Sequence, residues 1–330
     1  MNRQVPMLKE PMILKMADLA RLTADRGLSL NPLSPLKALP PAAESLSTEG
    51  ARLAADPDFG ALLEVLCMPV AVVANRVGGP LADYQEMQAC YRRVSGKVLV
   101  SILTDGDGAA IQTWEDSEAL AAWWCGQYAQ KSEEVIVNYI PPLITLEGLL
   151  TLFHCIDAYK RALFHSMLAY RPYDLPTLTP AEFTESAQAA VRSRDMRWLL
   201  PTLPILVPGF AELPLGDISA IGQEAWARNF LVTVKDRETG TESIGFGEAG
   251  RNMGMEFYRS WIFSAGFEIR AIREDGIRAL SRFYVAPTAI TNHFITLTLQ
   301  PDGTCMANHQ PCGYTRLLDQ MRGLLAEVTA

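Results

Sequence analysis

His293, Cys305, His309 and Cys312 bring imidazole and thiol groups into one short stretch near the end of the chain. These are the ligand types that zinc prefers. The run Cys305-Met306-Ala307-Asn308-His309-Gln310-Pro311-Cys312 reads as the return limb of a hairpin, and His293 falls near the start of the outgoing limb. A hairpin of that kind offers a way for all of them to converge. The competing reading is a core cysteine, a loop histidine and a cysteine flanking a helix, because free cysteine is commonly buried as a small apolar residue.

A second string, Gly245-Phe246-Gly247-Glu248-Ala249-Gly250, is a literal GxGxxG. Such glycines cradle a pyrophosphate at a helix N-terminus when a buried strand runs straight into the first of them. Here they follow the polar turn KDRETG, and a glycine-rich hairpin limb accounts for them equally well. His154 and His165 share one face of a long helical pattern, yet stand about 16 Å apart at 1.5 Å rise per residue, too far to hold one metal. With Asp157 and Arg161 between them they read as a polar stripe or an internal network. No GxSxG, Walker A, HExxH or EF-hand loop is present, and the carboxylates are too widely spread to select an acid–base pair.

The elements that must position these residues repeat. Lys97–Tyr128 reads as strand, tight turn, strand, helix: Leu99–Leu103, the Asp105-Gly106-Asp107-Gly108 turn, Ala109–Trp114, then a helix capped by Asp116 or Ser117. Asn292–Leu325 repeats that order, with Pro301-Asp302-Gly303 as the turn. The runs alternate with hairpin turns rather than with crossover helices. The expected fold is therefore α+β, two pseudo-repeated halves of antiparallel sheet flanked by helices. Residues 1–45 read as an N-terminal helix (Met12–Thr23) and a proline-rich arm (Leu28–Pro41), and 46–140 as the first half, ending in a connecting strand at Val135–Ile140. Residues 141–178 read as a connecting long helix over Leu146–Leu168, and 179–330 as the second half. That half opens on a helix from Thr179-Pro180 to about Leu200, after which Pro201, Pro204 and Pro208 punctuate a loop.

The chain has 330 residues, is 49% hydrophobic and carries a net charge of −8. That balance argues against a general nucleic-acid binder, which needs clustered Lys and Arg. Charges interrupt both the N-terminus and Leu146–Tyr170, which argues against a signal peptide and a membrane span. The six cysteines are scattered without a CxxC pair. The reading is a cytoplasmic protein with reduced thiols.

Leu46–Trp124 holds LSTEGARLAADPDFGALLEVLCMPVAVVANRV and then KVLVSILTDGDGAAIQTWEDSEALAAW: a helix stopped at Leu66-Cys67-Met68-Pro69, a strand, then strand, DG turn, strand and helix. Phe230–Gly250, FLVTVKDRETGTESIGFGEAG, gives a strand, a "DR..G" turn and a returning strand. Together these stretches resemble the EspG-like chaperones of type VII (ESX) secretion, over about half of the chain. The resemblance implies an α/β pseudo-twofold and a cytosolic binder of secretion substrates that works without a cofactor. The expected function is a non-enzymatic chaperone or adaptor for a secreted protein substrate. Its candidate contact surface is Met255–Phe267, with Phe257, Tyr258, Arg259, Trp261 and Phe263, since such residues dominate protein interfaces. The alternatives are a metal- or nucleotide-dependent enzyme built on the Cys/His set or the glycine string, and a self-associating homo-oligomer.

Overall fold

The structure, a computed structural model, describes residues 10–79, 82–92, 99–170, 177–216, 222–235, 240–258 and 264–329. The first part of the chain runs β1 (Met12–Lys15), α1 (Met16–Asp25), a 3₁₀ turn at Pro35–Ala38, α2 (Thr48–Ala54), α3 (Pro57–Cys67), β2 (Ala71–Gly79), β3 (Ala82–Tyr91), β4 (Leu99–Asp105), β5 (Gly108–Trp114) and α4 (Ser117–Tyr128). The second runs β6 (Leu143–Thr145), α5 (Leu146–Leu168), α6 (Pro180–Arg192), α7 (Leu199–Leu206), a 3₁₀ turn at Phe210–Glu212, α8 (Gly222–Ala227), β7 (Leu231–Lys235), β8 (Glu242–Phe246), α9 (Glu248–Tyr258), β9 (Ser264–Arg273), β10 (Gly276–Pro287), β11 (Asn292–Leu299), β12 (Cys305–Cys312) and α10 (Tyr314–Leu325).

Ten strands form one antiparallel sheet in the order β1-β5-β4-β3-β2-β9-β10-β11-β12-β6. Outward from the β2–β9 pair the order is the same on both sides: a hairpin partner, a second hairpin, and a short edge strand from the start of that half. Each edge strand passes directly into a helix, Lys15 into Met16 and Thr145 into Leu146. The α+β class with pseudo-repeated halves is thus the observed architecture. The repeat places β1 and α1 inside the first copy. It makes α5 the counterpart of α1 in the second copy, where the sequence suggests a separate arm and a connecting helix. The second copy carries an additional segment, α8 through α9, with the two-stranded β7–β8 sheet inside it.

Strand alternation sorts the core between the two faces. Helices α1–α3 pack on Val72, Cys90, Val100, Ile102 and Ile111, and α5–α9 pack on Tyr284, Ile295, Leu297 and Ala307, both on one face. On the other face α4 and α10 cover Val73, Phe267, Phe283 and Phe294. The repeated hairpin is set by its turn: Asp105 pairs with Gly108 across a two-residue loop in which Gly106 takes φ 57°. Helix α6 begins at a capping box, Thr179 with Glu182, and Pro180 sits where a missing N–H costs nothing.

Several boundaries differ from the sequence reading. Met12–Lys15 is edge strand, not helix. Residues 135–140 have no strand; Val135 and Val137 are exposed in an irregular segment that ends at Pro141-Pro142. The helix begun at Pro180 stops at Arg192, and α7 then forms across Pro201 and Pro204. Pro201 lies in the first turn, whose amides have no intrahelical partner in any case. The amides of Leu199 and Leu200 instead donate to Asp157 Oδ1 and Oδ2 on α5, at 2.8 and 2.9 Å. The proline-rich arm is packed, with Leu33 and Leu36 buried. The expected Asp236–Gly240 turn and most of the Arg171–Pro180 break lie outside the described residues.

Candidate functional site

Where the two halves meet, the helical layer is interrupted and the sheet face forms the floor of a cleft. Its main lobe has a volume of about 830 Å³ and a smaller lobe about 280 Å³; both are lined by Glu86 and Gln88. The former size lies in the range of ligand clefts. One wall is the proline-rich arm, through Leu33, Pro35 and Ala38. The facing wall is the end of the second copy's helical layer, through Arg194, Met196 and Ile205.

Charged side chains project from the middle of the central strands. Arg76 on β2 bonds Glu86 on β3 at 2.8 Å, donates to the Ile205 carbonyl at 3.3 Å, and lies 5.0 Å over the Tyr84 ring. Beside it, Glu268 on β9 is 2% exposed and bonds Arg282 Nε at 2.7 Å and Arg270 Nε at 2.6 Å. Both arginines also reach Glu212, which closes an Arg–Glu–Arg–Glu ring and holds the Phe210–Glu212 turn against the sheet. Burial pulls the Arg270 guanidinium down, and Glu268 and Glu212 more than offset it, so the group stands above its ordinary value. These groups are therefore spent on each other. Asp83, Arg194, Met16, Met196 and Tyr84 are left lining the open volume. Sequence reading missed this cleft. Its signal is the charge in otherwise apolar strands, as in Phe267-Glu268-Ile269-Arg270-Ala271.

The Cys/His set does not converge. His293 and His309 do meet: Nδ1 of His293 and Nε2 of His309 are 2.8 Å apart and the rings stack at 5.1 Å. Cys305 lies four residues along β12 from His309, about 13 Å at strand spacing. Cys312 lies on the opposite face, in the core beneath α4 and α10. An odd residue offset along a strand reverses the side chain, which separates Cys312 from His309. Among the described residues no group of three or more His, Cys, Asp or Glu is placed to hold a metal. All six thiols are buried, and burial pushes Cys67, Cys305 and Cys312 up to about 11 and Cys125 to about 12. None is a thiolate at neutral pH.

The glycine string sits at a strand–helix junction, β8 into α9, and two of its amides are turned to the chain's own carbonyls. Gly247 N donates to the Phe230 carbonyl and Ala249 N to the Asn229 carbonyl, both at 3.1 Å. A Cβ on Gly250 would lie 2.3 Å from the Phe230 oxygen, so this glycine serves close backbone packing. The strand after α9 joins the large sheet antiparallel to its neighbours, and no second parallel strand follows. Among the described residues the junction lacks the parallel βαβ unit of a dinucleotide site.

Phe257 is 1% exposed and packs on Phe153 and His293, so it belongs to the core and not to a contact surface. Tyr258 ends α9. Its side chain, together with Arg259, Trp261 and Phe263, lies outside the described residues. His154 is buried, with Nε2 3.1 Å from the Phe183 carbonyl and 3.0 Å from Ser186 Oγ, whereas His165 is exposed where α5 projects past the core.

The histidines set an acid limit on stability. Burial pushes His154 and His309 down to about 4, with Arg161 adding to the effect on His154 and the Ile140 carbonyl opposing it on His309. Burial and His309 hold His293 well below its usual range. Each folded value is below the ordinary 6.5, so the unfolded chain binds more protons as pH falls from 6.5 towards 4. Stability falls across that window by about 1.4 kcal/mol per pH unit per histidine. Asp157, raised by burial to about 6, acts in the opposite sense and loses its contribution as pH rises through 6. The histidines outnumber it. Urea denaturation at pH 7.5 and 5.0 is expected to show the lower midpoint at pH 5.0; equal midpoints would contradict this.

No protein-family model matches the chain, and no curated protein matches it. Among the described residues no helix is long and apolar enough to cross a membrane.

Proposed function

We propose that this protein is a non-enzymatic chaperone or adaptor that works in the cytoplasm and holds a protein substrate of a secretion-like system in the cleft between its halves. The observation that carries this reading is the cleft itself, about 830 Å³, with apolar Met16, Tyr84, Met196 and Ile205 beside Asp83 and Arg194. The described lining offers adaptable surface and charges of both signs, Asp83 and Glu86 against Arg194. Methionine pairs well with varied apolar partners, because its side chain is unbranched and polarizable. The likeness to EspG-like secretion chaperones points the same way, from the hairpin and turn residues alone.

A photo-crosslinking amino acid tests the seat. Placed at Arg194, it is expected to capture a co-expressed neighbouring protein. Placed at Arg316 on α10, on the far face of the sheet, it is expected to capture none. Equal capture at both positions, or capture only at Arg316, would remove the cleft as the binding seat.

A further inference from the structure

The His293–His309 pair belongs to no part of that cleft, yet it sits at a junction of three elements. His293 is on β11, His309 on β12, and the pair lies under the C-terminal turn of α9. From α9, Glu256 places Oε1 4.0 Å from His293 Nε2, and the Phe257 ring lies 4.4 Å from the His293 ring. Glu256 also accepts from Thr288 Oγ1 in the β10–β11 turn, and Thr288 Oγ1 bonds the Thr291 carbonyl at 2.9 Å. The loop before β6 contributes the Ile140 carbonyl on the His309 side, and α5 contributes the apolar Phe153 behind Phe257. Glu256 and the two histidines are thus the titratable groups in this corner among the described contacts. His293 Nε2 is buried without a hydrogen-bond partner.

We propose that the His293–His309 pair is an acid-operated latch on the C-terminal turn of α9: loading both rings with protons frees Glu256 and Phe257 from the sheet while the strand ladder stays paired. The geometry counts the protons. A 2.8 Å nitrogen–nitrogen contact accommodates one hydrogen, so the neutral pair has one N–H on the line and one lone pair. A first added proton goes to His293 Nε2, which faces Glu256 and gains a charge partner. A second added proton sets two N–H groups against each other across the same 2.8 Å, with two positive rings, both buried, stacked at 5.1 Å. The repulsion is relieved by separating the corner. The two histidines are tied to neighbouring strands by the β11–β12 ladder, whereas the end of α9 is held here by side chains. Helix α9 is therefore the part that yields. This device does not depend on what the cleft binds.

Hydrogen exchange of the full chain, corrected for intrinsic rate and read from pH 7 down to 4, tests it. The expected result is loss of protection at 248–258 before 292–312, with an opening constant that rises at least tenfold per pH unit. His309→Gln keeps an acceptor for His293 Nδ1–H, through its amide oxygen, and removes the second protonation, so its α9 stays protected in acid. Glu256→Gln removes the charge partner and moves opening to higher pH. If His309→Gln fails to fold, the wild-type order and pH slope decide alone. Simultaneous loss of protection in α9 and the ladder, a pH-independent α9, or acid opening unchanged in His309→Gln would overturn the proposal.

Discussion

Asp157→Ala is expected to destabilise the fold by about 3–5 kcal/mol, the cost of breaking a buried charge network from one side. Asp157 is completely buried on α5, and its two carboxylate oxygens accept from the first amides of α7, Leu199 and Leu200. Helix α7 has no side-chain cap of its own, and Pro204 removes one of its internal hydrogen bonds. Its start therefore depends on a group forty-two residues away. Removing the carboxylate leaves two buried N–H groups unpaired and also strips the counter-charge from Lys160, which is itself buried. Asp157→Asn keeps one acceptor and is expected to lose less. Asp25→Ala, which breaks the exposed pair with Arg21 on α1, serves as the control and is expected to change stability by less than about 1 kcal/mol. Urea denaturation read by circular dichroism measures all of them. A loss under about 1 kcal/mol for Asp157→Ala would contradict this account of α7.

Glu268→Ala is the second large effect, about 3 kcal/mol. Glu268 is 2% exposed and Arg282 12%, so their contact is shielded from water and salt. Without Glu268, both arginines keep only Glu212, which is 58% exposed. The contrast is the informative part. Glu212→Ala removes the exposed corner of the ring, and its cost is expected to stay near 1 kcal/mol because surface ion pairs contribute little. Both variants loosen the Phe210–Glu212 turn beside the smaller lobe of the cleft, so both are expected to weaken substrate retention. Equal losses of stability in the two variants would show that the ring is not organised around its buried carboxylate.

The repeated hairpin–helix unit was legible because local chemistry decides it. Asp-Gly turns, β-branched runs and an Asp116 cap all act within a few residues. The capping box at Thr179 and Glu182 was legible for the same reason. Helix α7 was not, since its cap comes from α5 and prolines otherwise argue for a loop. The edge strand β1 was hidden because it spans four residues and leads straight into a helix with matching apolar spacing. The correspondence of α5 to α1 is hidden in the sequence because α5 is more than twice the length of α1. The metal reading fell on strand parity: residues 309 and 312 differ by an odd number and point to opposite faces. The cleft is made by residues brought together only when β2 pairs with β9, nearly two hundred positions apart, and no local pattern announces that pairing.

The most direct test of the central claim is native mass spectrometry of the full chain co-expressed with its neighbouring proteins, beside a Met196→Arg variant that fills the cleft with charge. The account predicts a stoichiometric protein partner on the wild-type chain and its loss from a variant with an unchanged melting temperature. A partner retained in full by Met196→Arg would move the binding seat away from the cleft. A bare chain, or a homo-oligomer alone, would contradict the chaperone reading.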